Sequence, residues 1–72
     1  MTLKELEIFI SVAESGSFSR GAEAVFLTQS TVSQHIASLE WEFGLKLLDR
    51  TGKGAIPTEA GKLLLERAHR LV

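Results

Sequence analysis

The 72-residue chain contains no cysteine. Disulfides therefore cannot reinforce a small core, and a zinc site built on thiolates is excluded. The absence also fits a reducing compartment. Proline occurs once, as Pro57, and nothing in the composition is repetitive; low-complexity disorder is excluded. No apolar run approaches the roughly 20 residues that cross a bilayer, so no membrane partner is expected. The chain does not open with a basic head, an apolar stretch and a small-residue cleavage site, so no secretory signal is expected. An excess of charge is missing too: eight Lys and Arg stand against nine Asp and Glu, a net of −1. Taken alone, that sum argues against nucleic acid. The length allows one domain at most. A domain this small buries only about 60% of its unfolded surface and is marginal alone.

What is present reads as four helices and a hairpin. Thr2 followed by Glu5 is a capping-box signature. Leu3, Leu6, Phe9, Ile10 and Ala13 then share one helical face as far as Ser15-Gly16. Ile8 and Val12 fall off that face. They are either ordinary exposed apolar residues or a second apolar face for a partner subunit. Ser17 can cap a short second helix with Phe18, Ala22, Val25 and Phe26 at helical spacing. Gly21 inside it reads equally as chance or as close helix–helix approach. Thr28 caps a third helix, Gln29 to Phe43, whose stripe Val32, Ile36, Leu39, Phe43 is the strongest period in the chain, and Gly44 ends it. Helices two and three, joined through little more than Leu27-Thr28, match a helix-turn-helix.

Two short stretches with apolar residues, 45–50 and 55–57, flank the tip Thr51-Gly52-Lys53-Gly54 and predict a β-hairpin over about 46–57. Thr58 caps a last helix, and Gly61 weakens its first turn. Leu63, Leu64 and Leu65 cannot all face one small core, because neighbours on a helix point about 100° apart. A helix covered from two sides is expected, with Leu64, Leu65, Ala68, Leu71 and Val72 as dimerisation candidates beside Ile8 and Val12.

No catalytic constellation is visible. His35 and His69 have no acidic or Cys partner at ligand spacing, so no metal site is expected. No phosphate-binding glycine loop or nucleophile elbow occurs. Glu40 and Glu42 point to different sides of their helix, and the acids read as solvated surface or local ion pairs.

Charge distribution is more telling than its sum. Lys4 and Arg20 oppose Glu5, Glu7, Glu14 and Glu23 in the first two helices, and the third ends in Glu40 and Glu42. Lys46, Arg50 and Lys53 make the hairpin positive against Asp49 alone. Residues 29–39 carry no charge. Stepping 100° per residue from Ile36 puts Ser30, Thr31, Gln34, Ala37, Ser38 and Trp41 outward, with Ser33 flanking. A solvated helix face is ordinarily rich in Glu and Lys. Hydroxyls and amides can instead bond base edges or phosphate.

The chain resembles the N-terminal DNA-binding domain of LysR-type transcriptional regulators. The likeness rests on Leu6-Glu7-Ile8-Phe9, Val12-Ala13-Glu14-Ser15-Gly16-Ser17-Phe18-Ser19 and Leu27-Thr28-Gln29-Ser30-Thr31-Val32-Ser33-Gln34-His35-Ile36. It continues through Leu39-Glu40, Phe43-Gly44, Leu47-Leu48-Asp49-Arg50-Thr51 and Thr58-Glu59-Ala60-Gly61. Departures are Gly21 for a usual Ala, Gln34 for a frequent Arg, Trp41 for a polar or acidic residue, and Leu48 for a common Phe. The resemblance implies a mainly α, winged helix-turn-helix fold: a three-helix core with a hairpin wing over 1–58, and the start of a linker and dimerisation helix over 59–72. It implies double-stranded DNA as partner, a homodimer or tetramer, and work in the cytoplasm. No cofactor is expected within these residues; a small-molecule effector would bind a further C-terminal domain. By position, Gln29, Ser30, Thr31, Ser33 and Gln34 would read bases. Ser17, Thr28 and Arg50 would meet phosphates, and Lys53 would lie at the minor groove. A protein-binding winged helix using Trp41, Ile8 and Val12 is the competing reading, and an enzyme is disfavoured.

Overall fold

A computed structural model describes residues 1–52 and 54–71, for residue 71 the backbone only. Lys53, Val72 and the side chain of Leu71, to which the sequence assigns DNA and dimer contacts, lie outside the described residues. The elements run α1 (Leu3–Ser15), α2 (Phe18–Ala24), α3 (Gln29–Phe43), β1 (Leu48–Thr51), β2 (Gly54–Pro57) and α4 (Glu59–Leu71). This is the expected three-helix core with an antiparallel wing and a following helix.

Each helix begins where a hydroxyl can take an otherwise unpaired N–H. Thr2 accepts from Glu5 N, Ser17 from Arg20 N, Thr28 from Thr31 N and Thr58 from Gly61 N, at 3.0–3.2 Å. The capping box at Thr2 is only half used, because the Glu5 carboxylate lies 3.3 Å from His35 Nδ1 on α3. Gly16 and Gly44 close α1 and α3 at φ 71° and 68°, a conformation glycine adopts without strain.

The core gathers Ile8, Phe9 and Val12 of α1, Phe18 and Ala22 of α2, Val32, Ile36 and Leu39 of α3, and Leu47, Leu48 and Ala55 at the wing base. Ile8 and Val12 are fully buried, so neither is available to a partner. The sequence reading misplaces them because it allows α1 one covered face. The folded α1 touches α2, α3, β2 and α4. Gly21 is the means of close approach: a Cβ there would sit 2.6 Å from Val12 Cγ2 and 2.8 Å from Val12 Cα. Gly61 acts likewise, its missing Cβ leaving room for the Leu47 carbonyl. It is a packing requirement rather than a weak first turn. Ala68 is also fully buried in this chain's own fold, and Leu64 and Leu65 pack partly against the core. Leu3, by contrast, is 63% exposed beyond the edge of the core.

Two apolar patterns end earlier than their spacing suggests. The α3 stripe is buried through Leu39, whereas Phe43 stays 43% exposed. It joins Leu45, Leu47, Ala60, Leu63, Leu64 and Arg67 in lining a groove between the end of α3 and α4. Helix α2 stops at Ala24, so Phe26 is not on its apolar face. Leu27 N donates to Ala22 O and Phe26 N to Glu23 O, the paired bonds of a Schellman stop. That motif needs a left-handed residue, and Phe26 supplies it at φ 59° with its ring 93% exposed. A side chain in this conformation costs about 1–2 kcal/mol. Phe26→Gly is therefore expected to stabilise the domain by about 1 kcal/mol, read as a raised midpoint in urea. A lowered midpoint would mean that the exposed ring contributes contacts that outweigh its strain.

Candidate nucleic-acid interface

The outward face of α3 is exposed at Gln29, Ser30, Gln34, Ala37, Ser38 and Trp41, with Thr31 and Ser33 half-buried at its margin. Trp41 is 86% exposed and closes the stripe, about 10 Å from Gln34 along the helix. Three hydrogen bonds organise the near end. Gln29 Nε2 donates to Ser19 Oγ at 3.0 Å, tying α3 to α2. Thr28 Oγ1 donates to Thr31 Oγ1 at 2.9 Å. Arg50 Nη2 donates to Ser33 Oγ at 2.7 Å, tying the wing to α3. The Arg50 guanidinium also lies 4.0 Å over the Phe18 ring centroid, a contact that holds its plane by cation–π attraction.

Ser17, Phe18, Ser19, Gln29, Arg50, Thr51 and Gly54 line one polar cleft where the starts of α2 and α3 meet the wing. The structure thus brings Ser17, Gln29 and Arg50 together, with Ser33 joined through Arg50. Ser30 and Gln34 lie farther along the open face of α3. Ser17 and Thr28 reach the site with their oxygens already accepting from their own helices. Ser17 keeps its proton to give, whereas Thr28 gives its own to Thr31 Oγ1 and keeps only an acceptor lone pair.

Four of the nine acids are engaged elsewhere. Glu5 is held against His35, and Glu14 pairs with His69 at 2.8 Å, linking α1 to α4. Glu42 pairs with the N-terminal ammonium. Glu40, which the sequence treats as surface, has a structural task. Its Oε2 accepts from Leu47 N at 2.8 Å and Leu48 N at 3.2 Å, fixing the root of β1 to α3. On the other side Ala55 N donates to the Gly16 carbonyl at 2.8 Å, fixing β2 to the end of α1. The missed signal was position: Glu40 lies only about 40° around α3 from Ile36, too near the buried stripe for a solvated acid.

Residues 3–62 match the family model described as bacterial regulatory helix-turn-helix protein, lysR family. The chain belongs to that family. Among curated relatives it is 49% identical to an uncharacterized HTH-type transcriptional regulator in the ibpB–leuC intergenic region of Azotobacter vinelandii, an alignment covering 100% of this chain and 50% of the relative. It is 39% identical to the nitrogen assimilation regulatory protein nac of Klebsiella aerogenes, over 100% of this chain and 24% of the relative. The chain therefore spans half the length of the first and about a quarter of the second. Among solved structures, the CbnR DBD–DNA complex superposes with a TM-score of 0.94 at 34% identity, covering 99% of this chain and 82% of that one. This lysR-family domain has its wing fastened at both roots, and the competing protein-binding reading loses Ile8 and Val12 to the core.

Glu40→Ala would strand two part-buried wing N–H groups, a loss of about 2 kcal/mol. Hydrogen exchange should show the amides of Leu47 and Leu48 losing protection first, ahead of α1. Unchanged protection there would show that the wing root holds without the carboxylate.

Proposed function

We propose that this domain reads double-stranded DNA sequence-specifically, as part of a transcriptional regulator. Helix α3 enters the major groove, and the wing follows the adjacent minor groove. The observation that carries this reading is the exposed α3 face, rich in hydroxyls and amides and without an acid before Glu40, beside an Arg50 bonded to Ser33. Its likeness to a lysR-family domain in complex with DNA supports the same reading. Base readers are Gln29, Ser30, Thr31, Ser33 and Gln34. Gln can bond adenine bidentately, and hydroxyls can bond most edges. Ser17, Thr28 and Arg50 meet phosphate, and Lys53 serves the wing tip.

Residues 1–58 form the reading head in this proposal, and 59–72 begin a linker that joins two copies. With Ile8, Val12 and Ala68 buried, the surface offered to a second copy is the groove containing Leu63, which is 52% exposed, with Phe43 and Leu45. Outside these residues a further domain senses a small molecule, and the whole works in the cytoplasm as a homodimer or tetramer rather than as an enzyme.

Selection of bound sequences from a random duplex pool tests the reading. Two related half-sites about 34 Å apart, one helical turn, are expected from a dimer. Absence of any enriched sequence would sink sequence-specific recognition. On the enriched site, Gln34→Ala should weaken binding by about 1–3 kcal/mol while hardly changing affinity for random duplex. Equal losses on both would remove Gln34 from the base readers.

A further inference from the structure

We infer that Arg50 makes Ser33 a one-way hydrogen-bond donor, so that Ser33 selects an acceptor edge at one base pair. The inference rests on the DNA-reading proposal and deepens it. A serine hydroxyl is by itself ambivalent, with one donor and two acceptor lone pairs. It can meet either a donor or an acceptor on a base and so discriminates poorly. Arginine has N–H donors and no acceptor. The 2.7 Å contact between Arg50 Nη2 and Ser33 Oγ therefore has only one polarity: the hydroxyl oxygen accepts. Among the described residues Arg50 is the only partner of that hydroxyl. One lone pair is occupied by a cation, and the proton remains to be given. The adjacent positive charge repels a second N–H donor and strengthens the O–H as a donor, since bonds in a chain polarise one another.

The arrangement is held from three elements. Phe18 of α2 is 9% exposed and fixed in the core, and it carries the guanidinium on its ring at 4.0 Å. Arg50 projects from β1, whose root Glu40 fastens to α3. Ser33 sits on α3 at the margin of the open face. Arg50 uses one arm of its fork on Ser33, and its remaining N–H groups stay free for a phosphate. The same residue is thus a phosphate contact and a positioning residue for Ser33. The base edges that fit are guanine O6 or N7, adenine N7 and thymine O4; the cytosine amino group does not fit.

The test measures affinity for the selected site, for all single-base variants of it and for random duplex. The proteins compared are the parent chain, Ser33→Ala, Arg50→Met and the double variant. Thermal melting checks that each is folded. Ser33→Ala should lose about fivefold of discrimination at one base pair, the scale of one net hydrogen bond, and little on random duplex. Arg50→Met should lose the same discrimination at the same base pair and also weaken random binding. The double variant should discriminate no worse there than either single one. The inference is overturned if Arg50→Met leaves the preference intact. It is equally overturned if Ser33→Ala changes no position, or if the Ser33-dependent base offers only the cytosine amino group. Each of these outcomes leaves DNA reading in place. If the parent chain enriches no sequence, both proposals fall together.

Discussion

The close approach of α1 and α2 at Val12 and Gly21 sets where every other element can lie. With no Cβ on Gly21, the backbone of α2 comes to rest on Val12. That packing turns α1 into a helix covered on several sides, with Ile8, Phe9 and Val12 fully buried. A chain with no cysteine has no covalent substitute for such burial. Once α1 and α2 are locked, α3 closes the remaining side through Val32, Ile36 and Leu39, and its opposite face is left to solvent. The exposed face of α3 is thus a by-product of core packing, the side that points away from α1 and α2.

Charge follows the same geometry. A near-neutral chain can still present an acid-free face if each acid has somewhere else to be. Glu5 lies against His35, Glu14 against His69, and Glu40 is spent on two wing N–H groups. These contacts draw acids toward α1, α4 and the wing root, while Arg50 is held over Phe18 beside α3. The polarity of the surface is therefore set by tertiary contacts rather than by the proportion of charged residues. This is why the net charge is a poor guide to a partner for this chain.

Features encoded locally could be read directly. Helix α3 runs between Thr28 and Gly44 as its cap and stop residues indicate, and its outward face follows from helical period alone. The hairpin was legible from two short apolar stretches flanking a Gly-rich tip. What escaped was tertiary. A helical wheel cannot say how many neighbours a helix will have, so Ile8, Val12 and Ala68 looked available when they are interior. Phe26 gave no sign of a left-handed stop, because the residue types that announce one are Gly and Asn. Glu40 and Arg50 act on residues up to 17 positions away, Arg50 on Ser33 most plainly. Spacing along a helix carries no record of such contacts.

The fastening of the hairpin at Glu40 on one side and Gly16 on the other has a mechanical consequence. In the proposed DNA complex these root contacts would oppose a change in the span between the wing and α3. A duplex whose groove width does not match that span would work against the wing root. The double helix would then take up part of the adjustment, and sequences differ in how readily they do so. Part of the selectivity of such a domain would then lie in the stiffness of base steps that no side chain touches.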